Sequence, residues 1–421
     1  MRKKTLVCIL AETRAYKLTW SHFKRNLIDA LDADLALCIS VPHDYEFSNP
    51  FWQFAQYKWD VPEYGDWGQA FDEARADLLA PSERPVGDDW RLLLDVGDQW
   101  LGGVKAENQH PGSAGILIFF RWLLLQRILQ ENLHIKYDRF VITRSDFLWE
   151  NPHPDLNVLD EAFIWIPDGE GYGGVTDRHV VLNRDDLQNY LNLLEEILLR
   201  PQELKRAMEG RTDWNLEKFI YLMLGKTGCA SRLRYFPYCM YSVRESNGST
   251  SWSKGVWSDE LGFYIKYPAE QDASKSVSRL LTNRNWHDLI HGHESCGFNA
   301  RVLSGQQLIA VSGNELHPIQ FDATPAPMLG LHIDFNDGSA RLYLGAYHMG
   351  LYDRIFVEDV RLIPADAHGV YFQSVGEGLF YHLNKEGALA KSTDERTPFT
   401  LQNRYAPAAD SRPRLEINFD C

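Results

Sequence analysis

"TLVCILAETRAYKLTWSHFKRNLIDALDADLALCIS", residues 5–40, is the stretch that decides the fold. Its two ends, 5–10 and 34–40, are apolar runs of the length expected for buried strands. Between them, apolar residues recur at helical spacing over 18–31. A strand, a helix and a second strand in this order predict a βαβ unit, and therefore an α/β domain with a mostly parallel sheet.

The same alternation of elements continues outward from this unit. A short helix is predicted near 68–80, inside a segment whose Pro, Gly, Trp and Asp content is typical of long functional loops, 42–113. Further along, the pattern predicts helices over 113–131, 184–200 and 214–224, and strands over 137–143, 161–167, 180–183 and 234–244.

The pattern changes near residue 300, where helical spacing gives way to short alternating strands separated by Gly, Asn and Asp. Three weakly similar stretches of about forty residues begin near Val302, Phe335 and Gly369. The last of them resembles one repeat of a β-trefoil, and a small β-sandwich is the alternative. The sequence therefore predicts two domains, an α/β domain over 1–299 and an all-β module over 300–421.

Charge and composition exclude several classes of protein. The 421 residues include 43 Lys and Arg against 58 Asp and Glu, a net charge of −15, so no binding to nucleic acid is expected. The most apolar segment, 115–125, carries Arg121 in its middle and is shorter than the ~20 residues of a membrane span. Peripheral contact with a membrane stays open. Six scattered cysteines favour reduced thiols and a cytoplasmic location.

Polar residues follow directly after the apolar strand of 137–143. Arg144 and Asp146 are two positions apart, so they project to the same side of an extended chain. Ligands gather at the carboxyl ends of parallel strands, where an Asp can hold a divalent cation and an Arg can contact phosphate. The alternative is a turn capped by Asp146, with Arg144 as its ion-pair partner.

Seven motifs appear in a recognisable order: "ETRAYK", "FKRNL", "DLALC", "FFRWLLLQ", "YDRFVITRSD", "GYGGVTDRHVVLNRDD" and "WNLEKF". In this order they resemble a GT-A-type glycosyltransferase of the bacterial and viral polysaccharide-building families, over roughly residues 1–300. The resemblance implies a Rossmann-like GT-A fold and transfer of a sugar from a nucleotide-sugar donor. The acceptor would be a glycan or a lipid-linked sugar, and the all-β module would bind glycan, position the acceptor or mediate assembly.

The resemblance also implies residues for the donor. The acidic motif of such enzymes is usually Asp-any-Asp and chelates Mn²⁺ or Mg²⁺ against the diphosphate. Here Arg144 replaces the first Asp, which leaves Asp146 as the expected metal ligand and puts metal dependence in question. Thr13 and Arg14 correspond to the nucleobase loop, for which ordinary loop polarity is the alternative. Arg121 corresponds to an arginine offered to the nucleotide sugar, although an internal ion pair would also explain this charge in an apolar helix.

The glycine-rich segment 168–179 corresponds to the acceptor and donor-sugar loop. Glycine lets backbone approach a ligand closely, and aromatic and charged residues suit a sugar, so Tyr172, Gly173, Gly174 and Arg178 are expected to bind the acceptor. A phosphate-binding glycine loop is the weaker alternative, because the segment lacks the P-loop Lys-Ser/Thr signature.

An inverting transfer needs a carboxylate that takes the proton of the acceptor hydroxyl. Asp177 and Glu217 are the first candidates for this base, and Asp213 is the third. Glu217 would equally suit the first turn of a helix, where acidic residues are favoured. Whether the transfer inverts or retains configuration stays open.

Two further functions remain alternatives to glycosyl transfer. One is a glycan-binding or scaffold protein that has lost activity, which the missing first Asp favours. The other is a sugar nucleotidyltransferase, although the expected glycine-rich basic signature is missing after the first strand. A zinc site at His287, His291 and His293, with Cys296 as a fourth ligand, is less favoured than solvated surface histidines.

Overall fold

The computed structural model describes residues 4–79, 89–97, 100–105, 112–168, 171–247, 253–282, 285–291, 297–304, 307–312, 315–319, 327–334, 340–346, 355–365 and 369–403. The chain divides into two compact units. The first comprises Met1–Pro167, Thr176–Cys229 and Tyr238–Ser278. The second comprises Asp168–Val175, Ala230–Pro237 and Arg279–Cys421.

Helices and strands alternate through the first part of the chain. In order they are β1 (Thr5–Ala11), α1 (Tyr16–Phe23), β2 (Asp34–Ser40), α2 (Pro50–Phe54), β3 (Tyr57–Val61), α3 (Trp67–Leu78), α4 (Ala114–Gln130), α5 (Leu133–Lys136), β4 (Arg139–Thr143), β5 (Phe147–Trp149), β6 (Ile164–Pro167) and β7 (Val180–Asn183). They continue with α6 (Leu187–Leu191), α7 (Leu193–Leu199), α8 (Pro201–Met208), α9 (Leu216–Lys226), β8 (Leu233–Phe236), β9 (Met240–Arg244), β10 (Val256–Ser258), β11 (Phe263–Ile265), α10 (Pro268–Leu281) and α11 (Trp286–His291).

The main sheet of the first unit runs in the order β3-β2-β1-β4-β7-β6. β1 pairs in parallel with both β2 and β4, and β2 pairs in parallel with β3. β7 is antiparallel to β4 and to β6. The apolar side chains of residues 6–9 in β1 and 35–39 in β2 are fully buried, and α4 packs against both strands. The prediction of an α/β unit with a mostly parallel sheet is confirmed.

A second, smaller sheet of the first unit runs in the order β10-β11-β9-β5 and is antiparallel throughout. Its apolar face packs against α1 through a cluster of Ala15, Leu148, Tyr241, Val243, Phe263 and Ile265. β5 begins just after the end of β4, and Phe147 pairs with Ser242 of β9. This register brings the end of β9 beside the residues that follow β4.

Three predicted elements differ from the structure. β3 lies within the predicted loop region and escaped notice because only Trp59 among its five residues is buried. The predicted helix over 184–200 is broken at Asn192 into α6 and α7. The predicted strand over 234–244 is split into β8 and β9, because Pro237 has no backbone N–H to donate to a sheet.

The second unit is dominated by antiparallel strands. They are β12 (Gly297–Ser304), β13 (Gln307–Ser312), β14 (Glu315–Ile319), β15 (Pro327–Asp334), β16 (Ala340–Ala346), β17 (Ile355–Ala365), β18 (Gly369–Ser374), β19 (Phe380–Leu383), β20 (Leu389–Ser392) and β21 (Thr400–Asn403). Hydrogen bonds link all of them into one sheet around an apolar core that includes Val302, Leu342 and Phe372. The all-β character is as predicted. The β-trefoil stays a prediction, and Phe335, where its second repeat would begin, lies outside the described residues.

Two findings concern the expected environment of the chain. No helix in the described residues combines the length and the apolar character that a membrane crossing requires. Cys8, Cys38, Cys229 and Cys239 have free and buried thiols.

Candidate functional site

A cleft of the first unit lies at the carboxyl ends of β1 and β4. Because these strands are parallel neighbours, with Ile9 opposite Thr143, the residues that follow them emerge at the same edge of the sheet. The cleft is lined by Leu10, Ala11, Glu12, Arg14, Ser113, Ile116, Leu117, Ile142, Thr143, Arg144, Ser145, Asp146, Asp177, Arg244 and Lys266. The sequence-based prediction of a polar site at the end of this strand therefore coincides with a concave surface.

The loop after β1 is held in one conformation at the edge of this cleft. Ala11 and Ala15 have φ angles of 70° and 50°, a left-handed conformation that costs an L-residue roughly 1–2 kcal/mol. The Ser145 hydroxyl lies 3.2 Å from the carbonyl oxygen of Glu12 and 3.1 Å from that of Arg14, and donates to them. Ser145 therefore ties the loop after β1 to the loop after β4, with Glu12 and Arg14 facing the cleft.

Arg144 and Asp146 form a bidentate ion pair on one wall of the cleft. Nε and Nη2 of Arg144 donate to the two carboxylate oxygens at 2.9 and 2.7 Å. Arg244, at the end of β9, donates from Nη1 to Oδ2 of the same carboxylate at 2.6 Å. Burial acts to raise the pKa of Asp146, but the charges of Arg144 and Arg244 outweigh it and hold that pKa well below its usual range. Asp146 is therefore a buried anion shared by two guanidinium groups.

Lys266 adds a third cation to this wall. It follows β11, and its backbone N–H donates to the carbonyl oxygen of Ser242 at 2.9 Å. The pKa of Lys266 is lowered to about 8, first by burial and then by the positive charges of Arg144 and Arg244, while Asp146 opposes them. The two arginines therefore contribute a positive potential at this point of the cleft.

Two carboxylates predicted as catalytic bases are electrostatically coupled. Asp177 lines the cleft, and Glu217 lies in the first turn of α9, half-buried. Burial raises the pKa of Glu217 to about 8, and the negative charge of Asp177 adds to this effect. Glu217 therefore holds its proton at neutral pH, and its predicted role as a base stays a prediction.

Arg121, fully buried within α4, contacts the segment that carries Asp177. Its Nη2 donates to the backbone carbonyl of Asp177 at 2.7 Å, and its guanidinium lies 5.9 Å from the Tyr190 ring centroid. Arg121 is not among the residues that line the cleft. Its predicted contact with the nucleotide sugar stays a prediction.

Two other predicted residues lie in ion pairs. Arg178 is buried and donates to Glu270 at 2.7 Å, with the Tyr267 ring centroid 4.9 Å from its guanidinium. Asp213 is exposed and pairs with Arg211 and Lys218, which hold its pKa well below the usual range. Neither residue belongs to the lining of the cleft. Their predicted roles in acceptor binding and catalysis stay predictions.

The remaining predicted residues lie in two loops. Thr13 accepts from Nδ2 of Asn49 at 2.8 Å and hydrogen-bonds with the Tyr45 hydroxyl at 2.9 Å, so it links the loops after β1 and β2. Tyr172, Gly173 and Gly174 belong to a tight turn of the second unit, in which Tyr172 and Gly173 have φ angles of 46° and 78°. The Tyr172 side chain is exposed.

Two cationic residues of the cleft were missed from the sequence. Arg244 ends the apolar run "MYSVR" as Arg144 follows "FVIT", and Lys266 follows "FYI" in the same manner. A charged residue directly after a buried strand is the signal that could have found both. The pairing of β5, β9 and β11 brings them to Asp146, and the sequence does not specify that pairing.

The residues of the cleft do not suit the divalent cation that the resemblance implies. Both oxygens of Asp146 already accept hydrogen bonds from guanidinium groups. Three cations surround the place where a metal would be held, and they would repel it. Within the described residues no group of three or more His, Cys, Asp and Glu is arranged to hold a metal ion. His293 and Cys296 of the weaker zinc hypothesis lie outside the described residues.

Comparisons with known proteins give little guidance. No protein-family model and no curated protein matches the chain. Among solved structures, the chain is similar to mouse xyloside xylosyltransferase 1 in its apo form, with 10% sequence identity and a TM-score of 0.32. The match covers 56% of this chain and 85% of that chain. A TM-score of 0.32 is too low for this likeness to indicate a function. Any proposal about function is therefore based on the cleft.

Proposed function

We propose that the first unit is a glycosyltransferase that moves a sugar from a nucleotide-sugar donor to a glycan or lipid-linked acceptor. The main support is a cleft at the carboxyl ends of parallel strands that combines a cationic wall with a carboxylate, Asp177. Cations suit a diphosphate, and a carboxylate suits a hydroxyl that must lose its proton. Glycosyl transfer from a nucleotide sugar needs both.

In an inverting transfer, the hydroxyl oxygen of the acceptor would form a bond to the anomeric carbon while the bond from that carbon to the phosphate oxygen breaks. The diphosphate leaves with the electron pair, and Arg144 and Arg244 stabilise the charge that develops on it. Asp177 would accept the hydroxyl proton. Glu217 does not line the cleft and is protonated at neutral pH, which leaves Asp177 as the candidate base.

Binding and turnover test this proposal separately. Thermal shift and calorimetry with UDP, GDP, CMP and dTDP identify the nucleotide, and release of the free nucleotide from its sugar conjugates measures turnover. We expect Asp177→Asn to keep nucleotide binding and to lower turnover by about 10²–10⁴-fold. Asp29→Asn is the matched control, because Asp29 is exposed and does not line the cleft, and it should retain activity. Equal turnover in wild type and Asp177→Asn would refute the role of this carboxylate.

A glycan-binding protein without transfer activity is the second candidate. It is favoured by the arginine that stands in place of the first acidic residue, and by the engagement of Asp146 with two guanidinium groups. A glycan array would then give specific retention, while no nucleotide raises the melting temperature. A nucleotidyltransferase would instead form a nucleotide sugar from a nucleoside triphosphate and a sugar phosphate.

A further inference from the structure

The cationic wall of the cleft has hydrogen-bond donors to spare. Arg144 uses Nε and Nη2 on Asp146, and Arg244 uses Nη1 on Asp146 and on the carbonyl oxygen of Val243. Nη1 of Arg144, Nη2 of Arg244 and Nζ of Lys266 make no hydrogen bond with any described residue. An anion in the cleft would find three N–H groups of cationic side chains available.

The charges of this wall are also unbalanced. Arg144, Arg244 and Lys266, the cation cluster, surround one carboxylate, that of Asp146. Asp177 also lines the cleft, but the cluster still carries a surplus of positive charge when it is counted. Arg14 also lines the cleft, but it is paired with Glu12 and does not change this balance. Bringing an anion of two or more charges into the cleft would relieve this repulsion.

The side chains of Asp146 and of the cation cluster differ in how exposed they are, and this difference indicates different roles. The Asp146 and Arg244 side chains are 2% and 5% exposed, whereas that of Arg144 is 25% exposed. A buried carboxylate between two guanidinium groups fixes the direction of both, as a structural anion does for planar, bidentate donors. Asp146 is then a positioning residue, and the three cations that line the cleft are the groups that contact a ligand, Arg144 being more exposed than Arg244.

We propose that the cation cluster binds the diphosphate of the donor directly, without a divalent cation, and that Asp146 orients Arg144 and Arg244 for this contact. The inference rests on the proposed function for the identity of the ligand. It reverses the role that the resemblance implies for Asp146, from metal ligand to the anchor of two arginines. The cations of the protein take the place of the metal in neutralising the diphosphate.

The test uses the full chain and inorganic pyrophosphate as the probe, titrated by calorimetry in EDTA. We expect saturable binding in EDTA, no gain in affinity for the matching nucleoside diphosphate on adding Mn²⁺, and an affinity at least about tenfold lower in Lys266→Met. Lys266→Arg should restore binding because it keeps the charge. Lys136→Met is the matched control, since Lys136 is exposed and precedes β4, at the end opposite to the cleft.

A second measurement distinguishes whether Asp146 orients the arginines or binds a metal. Asp146→Asn keeps the size of the side chain but removes the charge that orients the arginines, so pyrophosphate affinity in EDTA should fall. If Asp146 were a metal ligand, the substitution would lower affinity only when Mn²⁺ is present. Thermal melting of each variant identifies any that fail to fold. If Asp146→Asn fails to fold, the comparison of Lys266→Met with Lys266→Arg still tests whether the cation cluster binds pyrophosphate in EDTA.

The outcomes separate this inference from the proposed function. Binding of a nucleoside diphosphate only with Mn²⁺, and of no pyrophosphate in EDTA, would overturn the inference and leave the transferase intact. Pyrophosphate binding in EDTA without any nucleotide binding or donor turnover would support a metal-free anion site and refute the transferase. Absence of binding by every probe would refute both.

Discussion

Glu217 shows how the environment of one residue sets its chemistry. Its carboxyl has a pKa raised to about 8, first by burial and then by the charge of Asp177. The native state therefore keeps a proton that the unfolded state loses near pH 4.5. Because the unfolded state holds fewer protons between these pKa values, the contribution of Glu217 to the stability falls as pH rises from about 4.5 to 8.

We predict that Glu217→Gln removes this contribution, since glutamine has the shape of the protonated acid and does not titrate. At pH 8 the free energy of unfolding of the variant should exceed that of wild type by at least about 1.4 kcal/mol, the equivalent of one pKa unit. Urea unfolding at pH 5 and pH 8 measures the effect, and the two proteins should be nearly equal at pH 5. Parallel pH profiles would contradict the raised pKa.

The charge of Lys266 makes pyrophosphate binding depend on pH. Its pKa, lowered to about 8, means that the ammonium charge is present at pH 7 and is lost as pH rises through 8. We predict that affinity for pyrophosphate falls between pH 7 and pH 9.5, and that Lys266→Met flattens this profile. Calorimetry at four pH values checks it. An affinity that is constant over this range in wild type would exclude Lys266 from the contact.

At the scale of elements, a buried ion pair joins the segment before β7 to α10. Arg178 and Glu270 are 3% and 0% exposed, and their charges are separated by 2.7 Å. Removing one partner leaves the other charge buried and uncompensated, which costs far more than the pair itself contributes. The same segment carries Asp177 into the cleft, so this pair also supports the position of the proposed base.

We predict that Glu270→Gln destabilises the protein by ~3–5 kcal/mol, as measured by urea unfolding. Asp29→Asn is the control, because the Lys24–Asp29 pair is exposed, and it should cost less than ~1 kcal/mol. If the two substitutions had equal effects, Arg178 would have another source of compensation. Glu270→Gln should also lower donor turnover, since the backbone of Asp177 adjoins Arg178.

At the scale of the whole molecule, the net charge of −15 and the cationic cleft act on different ligands. A polyanion such as DNA meets the negative field of the whole surface, whereas a small anion needs only the local potential of the cleft. We predict no saturable binding of a duplex DNA fragment at 50 mM salt up to about 100 µM, the range of non-specific DNA affinity. Fluorescence anisotropy measures it, and micromolar binding would show that the cleft potential extends over the surface.

The sequence by itself determined the elements whose signals are local. β1, β2, α4 and β4 were predicted because continuous apolar runs and helical spacing are fixed by burial. It also determined that Arg144 and Asp146 lie at the end of a buried strand, because a charge at that position cannot be part of the core. Both are properties of short segments, which the amino-acid order specifies directly.

Only the tertiary structure decided which charges meet. Arg244 lies 98 residues from Asp146 in the chain, and the antiparallel pairing of β5 with β9 brings them to 2.6 Å. Arg178, which the sequence predicts to bind the acceptor, pairs with Glu270, 92 residues away. Strand pairing and packing determine which of several distant charged residues becomes the neighbour of Asp146. With acidic neighbours, Asp146 could have formed a metal site. The arrangement in space places the cations Arg144, Arg244 and Lys266 around Asp146.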